Sequence, residues 1–144
     1  MKRLLNKSKF LWMLVMVIAS SIALSSCDKN ELDIQQNYPF EVTVMPVPAD
    51  VESGQTVEIR ITIQRAGNFS DAQYYIRYFQ YDGIGALRYY NETPYLPNDL
   101  YALPQTQFRL YYTSASTVSQ SFDIWISDNF GNEKQVSFQF NSSD

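Results

Sequence analysis

The chain is 144 residues long, room for a single domain, and it holds no histidine and one cysteine; histidine acid–base chemistry, Cys–His nucleophiles, Cys/His zinc sites and intrachain disulfides are therefore excluded. Its net charge of −4 hides an asymmetry, because Lys2, Arg3, Lys7 and Lys9 fall in the first nine residues and no acid precedes Asp28. From residue 28 onward seven cations face fifteen acids, a net charge of −8 that repels nucleic-acid phosphates, so no direct nucleic-acid partner is expected.

The basic start leads into an apolar run from Phe10 to Leu24, broken only by Ser20 and Ser21. A spanning helix needs about 20 apolar residues, and this run is shorter. A basic segment, a short apolar core and small residues describe a secretory signal peptide over residues 1–26. The small residues end at the one cysteine, in Leu24-Ser25-Ser26-Cys27, which closely resembles the lipobox of bacterial lipoproteins. In that class the leader is cut before the cysteine, whose thiol forms the thioether to diacylglycerol. The alternative is an ordinary signal cleaved nearby, with Cys27 a spare thiol. Several acyl chains on Cys27 would give stable membrane anchoring, unlike a single chain. The polar segment Asp28–Asn37 completes a tether over residues 27–37, and ten extended residues reach at most ~33–36 Å.

From residue 38 to 144 the pattern is strands. Tyr38, Phe40, Val42 and Val44 alternate with Pro39, Glu41 and Thr43. After a turn at Glu52–Gln55, Val57, Ile59, Ile61 and Ile63 alternate with polar partners. A third strand covers Gln73–Tyr81, and Asp82-Gly83 turns it into a fourth over Ala86–Tyr90. Residues 91–106, with Pro94, Pro97 and Pro104, read as a long ordered loop. Strands follow over Gln107–Thr113, Gln120–Ser127 and Glu133–Asn141, the last two joined by the Asp128–Asn132 hairpin. Seven short strands and no convincing helix predict an all-β, antiparallel two-sheet sandwich of immunoglobulin or fibronectin type III type. The first, second and fifth strands would form one sheet, and the third, fourth, sixth and seventh the other.

Candidate chemistry is sparse. Asp123, Asp128 and Glu133 near the last hairpin offer oxygen ligands, but their spacing fits no calcium loop and turn chemistry explains them. Paired acids suited to glycoside hydrolysis arise by chance among fifteen. Beyond the leader only Lys29 and Lys134 could activate a serine, and neither sits well for it. No catalytic residue, metal or cofactor is expected, and no small-molecule ligand.

The aromatic residues say more. Ten of the eleven tyrosines lie between Tyr74 and Tyr112. Strand parity sends Phe122, Ile124 and Ile126 inward and turns Trp125 outward beside Asp123. On the third strand the outward set is Tyr75, Arg77 and Phe79. Trp125, Tyr75, Arg77, Phe79 and Asp123 together have the composition of a protein-contact surface. Such rings also suit sugar stacking, and the alternative to both is that the 91–106 loop covers them with Tyr95, Leu96, Leu100 and Leu103.

Four segments carry a family resemblance: Tyr38-Pro39-Phe40-Glu41-Val42-Thr43-Val44, YIRYFQYDGIG from Tyr75, YLPNDLYALP from Tyr95, and FDIWISDNFGN from Phe122. With these the chain resembles the TraQ-type conjugal transfer lipoproteins encoded in conjugative transposons of gut anaerobes. The resemblance implies a small, Ig-like, membrane-anchored accessory of the mating apparatus, without catalytic residues. Its expected place is the cell envelope and its expected partners are other transfer-apparatus or envelope proteins. The competing reading is a surface glycan-binding lipoprotein.

Overall fold

The computed structural model describes residues 38–143. The segments expected to form the signal peptide and the tether, with Cys27, lie outside them. The described residues form nine strands: β1 (Phe40–Val44), β2 (Asp50–Val51), β3 (Thr56–Arg65), β4 (Tyr74–Asp82), β5 (Gly85–Tyr89), β6 (Leu100–Leu103), β7 (Gln107–Ser114), β8 (Gln120–Asp128) and β9 (Glu133–Ser142). Two sheets result, ordered β1-β3-β7-β5 and β2-β9-β8-β4-β6. The domain is thus all-β and sandwich-like, with one parallel pairing, β2 on β9, where a wholly antiparallel arrangement was expected.

Alternation builds the core. In β3, Val57, Ile59, Ile61 and Ile63 are buried while Thr56, Arg60 and Gln64 are exposed. In β8, Phe122, Ile124 and Ile126 are fully buried and meet residues of the other sheet in one hydrophobic cluster. Each such side chain contributes about 1.5–3 kcal/mol on leaving water. Phe122 stacks on Tyr112 of the facing sheet at 4.5 Å between ring centres, which locks the two layers in register.

Two expectations are corrected here. The strand after the Asp82-Gly83 turn pairs with β7, in the sheet of β1 and β3, and not beside β4. Gly83 has a φ of 71°, and Gly85 lies so close to Tyr112 that a Cβ there would sit 2.2 Å from its hydroxyl. That close approach lets β5 cross to the other layer, where Leu87 and Tyr89 enter the core. The second correction is the 91–106 loop, which contains β6. It pairs with β4 through Tyr74↔Leu103 to Arg77↔Leu100 and extends the sheet at its edge. Tyr95 and Leu103 are buried, whereas Leu96 and Leu100 are 62% and 60% exposed. The segment widens the aromatic face; it does not cover it.

One end of the core is polar and satisfied. The Tyr78 hydroxyl donates to Gln80 at 2.6 Å, and the Gln80 amide donates to the Tyr112 oxygen at 2.7 Å. Tyr112 donates in turn to Gln120, whose amide donates to Ser114 at 2.8 Å. Gln120 and Ser114 are buried, so these bonds meet a requirement that water cannot.

Candidate interaction face

The outer face of the five-stranded sheet gathers the residues that parity singled out. In β4, Tyr74, Ile76 and Tyr78 point inward and Tyr75, Arg77 and Phe79 stay half-buried on the outside. In β8 the outward positions include Asp123 and Trp125. The antiparallel register sets Arg77 opposite Trp125 and Phe79 opposite Asp123. β6 adds Leu100 opposite Arg77, and β9 adds Gln135 opposite Trp125. Leu100, Arg77, Trp125 and Gln135 thus form one row across four strands.

The Arg77 guanidinium lies over the Trp125 ring, 4.4 Å from its centre. A cation–π contact of this kind contributes about 0.5–1 kcal/mol at an exposed site and fixes both side chains. Arg77 also reaches Glu133 at 4.0 Å, a long, solvent-screened ion pair. The Tyr75 hydroxyl donates to Gln73 at 3.0 Å. Phe79 meets Tyr81 edge-on at 5.0 Å.

Asp123 departs from expectation. Parity places it on the outer face, yet it is only 8% exposed, and the Gln135 amide donates to its Oδ2 at 2.5 Å. Its carboxylate is committed within the sheet and orients Gln135. Two members of the face were missed. Tyr81, 54% exposed, continues the series 75, 77, 79 by two residues, so its parity was legible. Partial desolvation, then the Asp123 carboxylate, hold its phenol above the ordinary range. Leu100 had no such signal, because a four-residue strand between prolines carries too short a pattern to read.

Of the other acids near the last hairpin, Glu133 faces Arg77 and Asp128 is used by the turn. Asp128 Oδ1 accepts the backbone N–H groups of Phe130 at 2.9 Å and Asn132 at 2.8 Å, and Oδ2 accepts the Asn132 amide at 2.7 Å. Among the described residues no group of three or more acidic or cysteine side chains is placed to hold a metal ion. None of their helices is long and apolar enough to cross a membrane.

The face and fold sit on a chain whose residues 10–143 match the family model described as TraQ conjugal transfer protein. The chain belongs to that family. A conjugative transposon lipoprotein from Bacteroides eggerthii is 48% identical, over 73% of this chain and 99% of its own, with a TM-score of 0.68. A lipoprotein from Bacteroides thetaiotaomicron is 51% identical over 78% of this chain and 86% of its own, with a TM-score of 0.68. A conjugate transposon protein from Bacteroides vulgatus is 49% identical over 78% and 91% of the two chains, at a TM-score of 0.66. No curated protein matches the chain. As a family member it is a cell-envelope lipoprotein and a non-enzymatic component of the transfer apparatus of a conjugative transposon.

Proposed function

We propose that this TraQ-family protein is tethered through a lipidated Cys27 and docks another protein of the transfer apparatus on the outer face of its five-stranded sheet. The observation that carries the docking face is the row of Leu100, Arg77, Trp125 and Gln135, flanked by Tyr75, Phe79 and Tyr81. Aromatic residues and arginine on a rigid sheet are what protein contacts select, since they bury much area at little entropic cost. Residues 1–26 act as the signal peptide and residues 27–37 as the tether. The body binds neither nucleic acid nor a small molecule. The strand orders also support an immunoglobulin or fibronectin type III-like assignment. The order β1-β3-β7-β5 corresponds to A-B-E-D of such domains, and β2-β9-β8-β4-β6 to A′-G-F-C-C′, with the C′ and D positions exchanged along the chain. Arg77 over the Trp125 ring speaks against sugar stacking, because it occupies a face that a pyranose would use.

Two variants test the proposal in a mating assay. Cys27→Ser is expected to leave the precursor uncut or release the protein from membranes; a Ser variant that fractionates and migrates like the parent rules out the anchor. Trp125→Ala is expected to keep nearly the parental melting temperature and envelope level while transfer falls, with a loss of ~2 kcal/mol or more in partner binding. Parental transfer by a stable Trp125→Ala protein rules out the face.

A further inference from the structure

The outer face of the four-stranded sheet carries a concentration of positive charge that the acidic body does not lead one to expect. Six cations fall among the described residues, and three of them, Arg60, Arg88 and Arg109, project from this face on adjacent strands. Arg60 of β3 is directly opposite Arg109 of β7, and Arg88 of β5 is opposite Tyr111 of β7. Like charges placed opposite one another across a sheet are unfavourable unless an anion lies between them. Here Glu58 provides one. One of its oxygens takes Arg60 Nε, and the other takes Arg109 Nη1 at 3.4 Å and the Tyr111 hydroxyl at 3.0 Å. These bonds hold the Glu58 carboxyl below its ordinary range, Arg60 first and Tyr111 next, so it is ionised at neutral pH. The sheet's other acid, Glu41, is bound to Lys134 at 2.9 Å.

One carboxylate therefore serves two of the three guanidinium groups and leaves Arg88 without an ion pair among the described residues. Arg60 and Arg109 keep 56% and 46% of their side chains exposed, with donors left over. Arg88 makes no ion pair among the described residues, and its Nε is buried without a hydrogen-bond partner. A buried donor left unmade is costly, and the described fold supplies this guanidinium with no anion of its own.

We propose that Arg60, Arg88 and Arg109, framed by Tyr111, form a second interaction surface that receives the carboxylates of an acidic protein segment. The forked guanidinium group pairs with a carboxylate through two parallel hydrogen bonds, and here one such fork makes no ion pair among the described residues and two are half-exposed beside a tyrosine. Charge complementarity selects an acidic protein over the other polyanions. A nucleic acid would extend past the three arginines onto a body of net charge −8 and be repelled there. The surface is independent of the Trp125 face, which belongs to the other sheet.

The test uses the full-length lipidated protein in nanodiscs of neutral lipid, with a dye-labelled glutamate octapeptide as probe and fluorescence anisotropy as readout. Saturable binding is expected, weakened about tenfold or more by Arg88→Gln and by Arg109→Gln. Arg65→Gln removes the same charge outside the cluster, where Arg65 donates to the Phe69 carbonyl, and is expected to change binding less than twofold. Glu58→Gln is expected to tighten binding, since it frees the donors that Glu58 occupies, and to do so more than Glu52→Gln. Melting curves of each variant show that the fold is kept. Absence of peptide binding overturns the proposal, as does an equal loss from Arg65→Gln, which would mean bulk attraction without a site. Stronger competition by a short DNA duplex or by phosphatidylglycerol vesicles than by unlabelled peptide overturns it too, because the surface would then read phosphate.

Discussion

A single residue can share a face with its neighbours and still be unavailable. Asp123 and Trp125 both lie on the outer side of β8, yet Asp123 is 8% exposed and already bonded to Gln135. Parity fixes the side of the sheet; exposure depends on how long the neighbouring side chains are. Gly85 shows the reverse dependence, a small residue required by a distant large one. A Cβ on Gly85 would meet the Tyr112 ring and hydroxyl within 2.2–2.6 Å. Tyr112 cannot retreat, because it packs against both Phe122 and Phe140 and is bonded to Gln80 and Gln120. Gly85→Ala is therefore expected to destabilise the domain by ~1–3 kcal/mol through overpacking. Thermal or urea unfolding checks it; an unchanged midpoint would mean that β5 is free to shift.

At the scale of elements, β8 is the central strand of its sheet, paired with β4 on one side and β9 on the other. Its inward side chains cannot relax toward solvent. Ile124→Ala is expected to cost ~2–5 kcal/mol, the range for a large-to-small change at a fully buried site. A loss below ~1 kcal/mol in urea unfolding would show that the sheets collapse around the cavity. The strands read most readily were those with four or more alternating positions, such as Val57–Ile63 in β3. β2 has two residues and β6 four, and β6 lies between prolines, so neither presents a period to detect. β5 was legible as a strand but not as a member of a particular sheet. Alternation records that one side is buried and is silent on which layer buries it.

The whole molecule has an uneven response to pH. The chain contains no histidine, so between about pH 6 and 9 few side chains titrate and stability is expected to be flat. The alkaline side differs. Burial pushes the phenols of Tyr78, Tyr95 and Tyr112 above their ordinary value of 10.0. Below that value both folded and unfolded chains keep the phenolic protons, and the folded state holds its full stability. Above it the unfolded chain releases protons that the folded chain retains, so stability falls as pH rises. Tyrosinate absorbance is expected to rise cooperatively with loss of β-sheet circular dichroism above about pH 10. Gradual ionisation with the circular dichroism intact would contradict the burial of these rings.

The sequence by itself determined the class of the fold, the inward and outward sets of the long strands, and the grouping of Trp125 with Tyr75, Arg77 and Phe79. It also carried the four segments that resemble the TraQ-type family. These are local properties, written in alternation over a few residues or in contiguous stretches of chain. Tertiary structure alone decided that β5 joins β7, that β6 widens the aromatic face, and that Arg60, Arg88 and Arg109 from three separate strands share one outer face, with Glu58 held between Arg60 and Arg109. Each of these rests on register between strands distant in sequence, and such a register is set by how large side chains such as Tyr112 fill the space between two sheets.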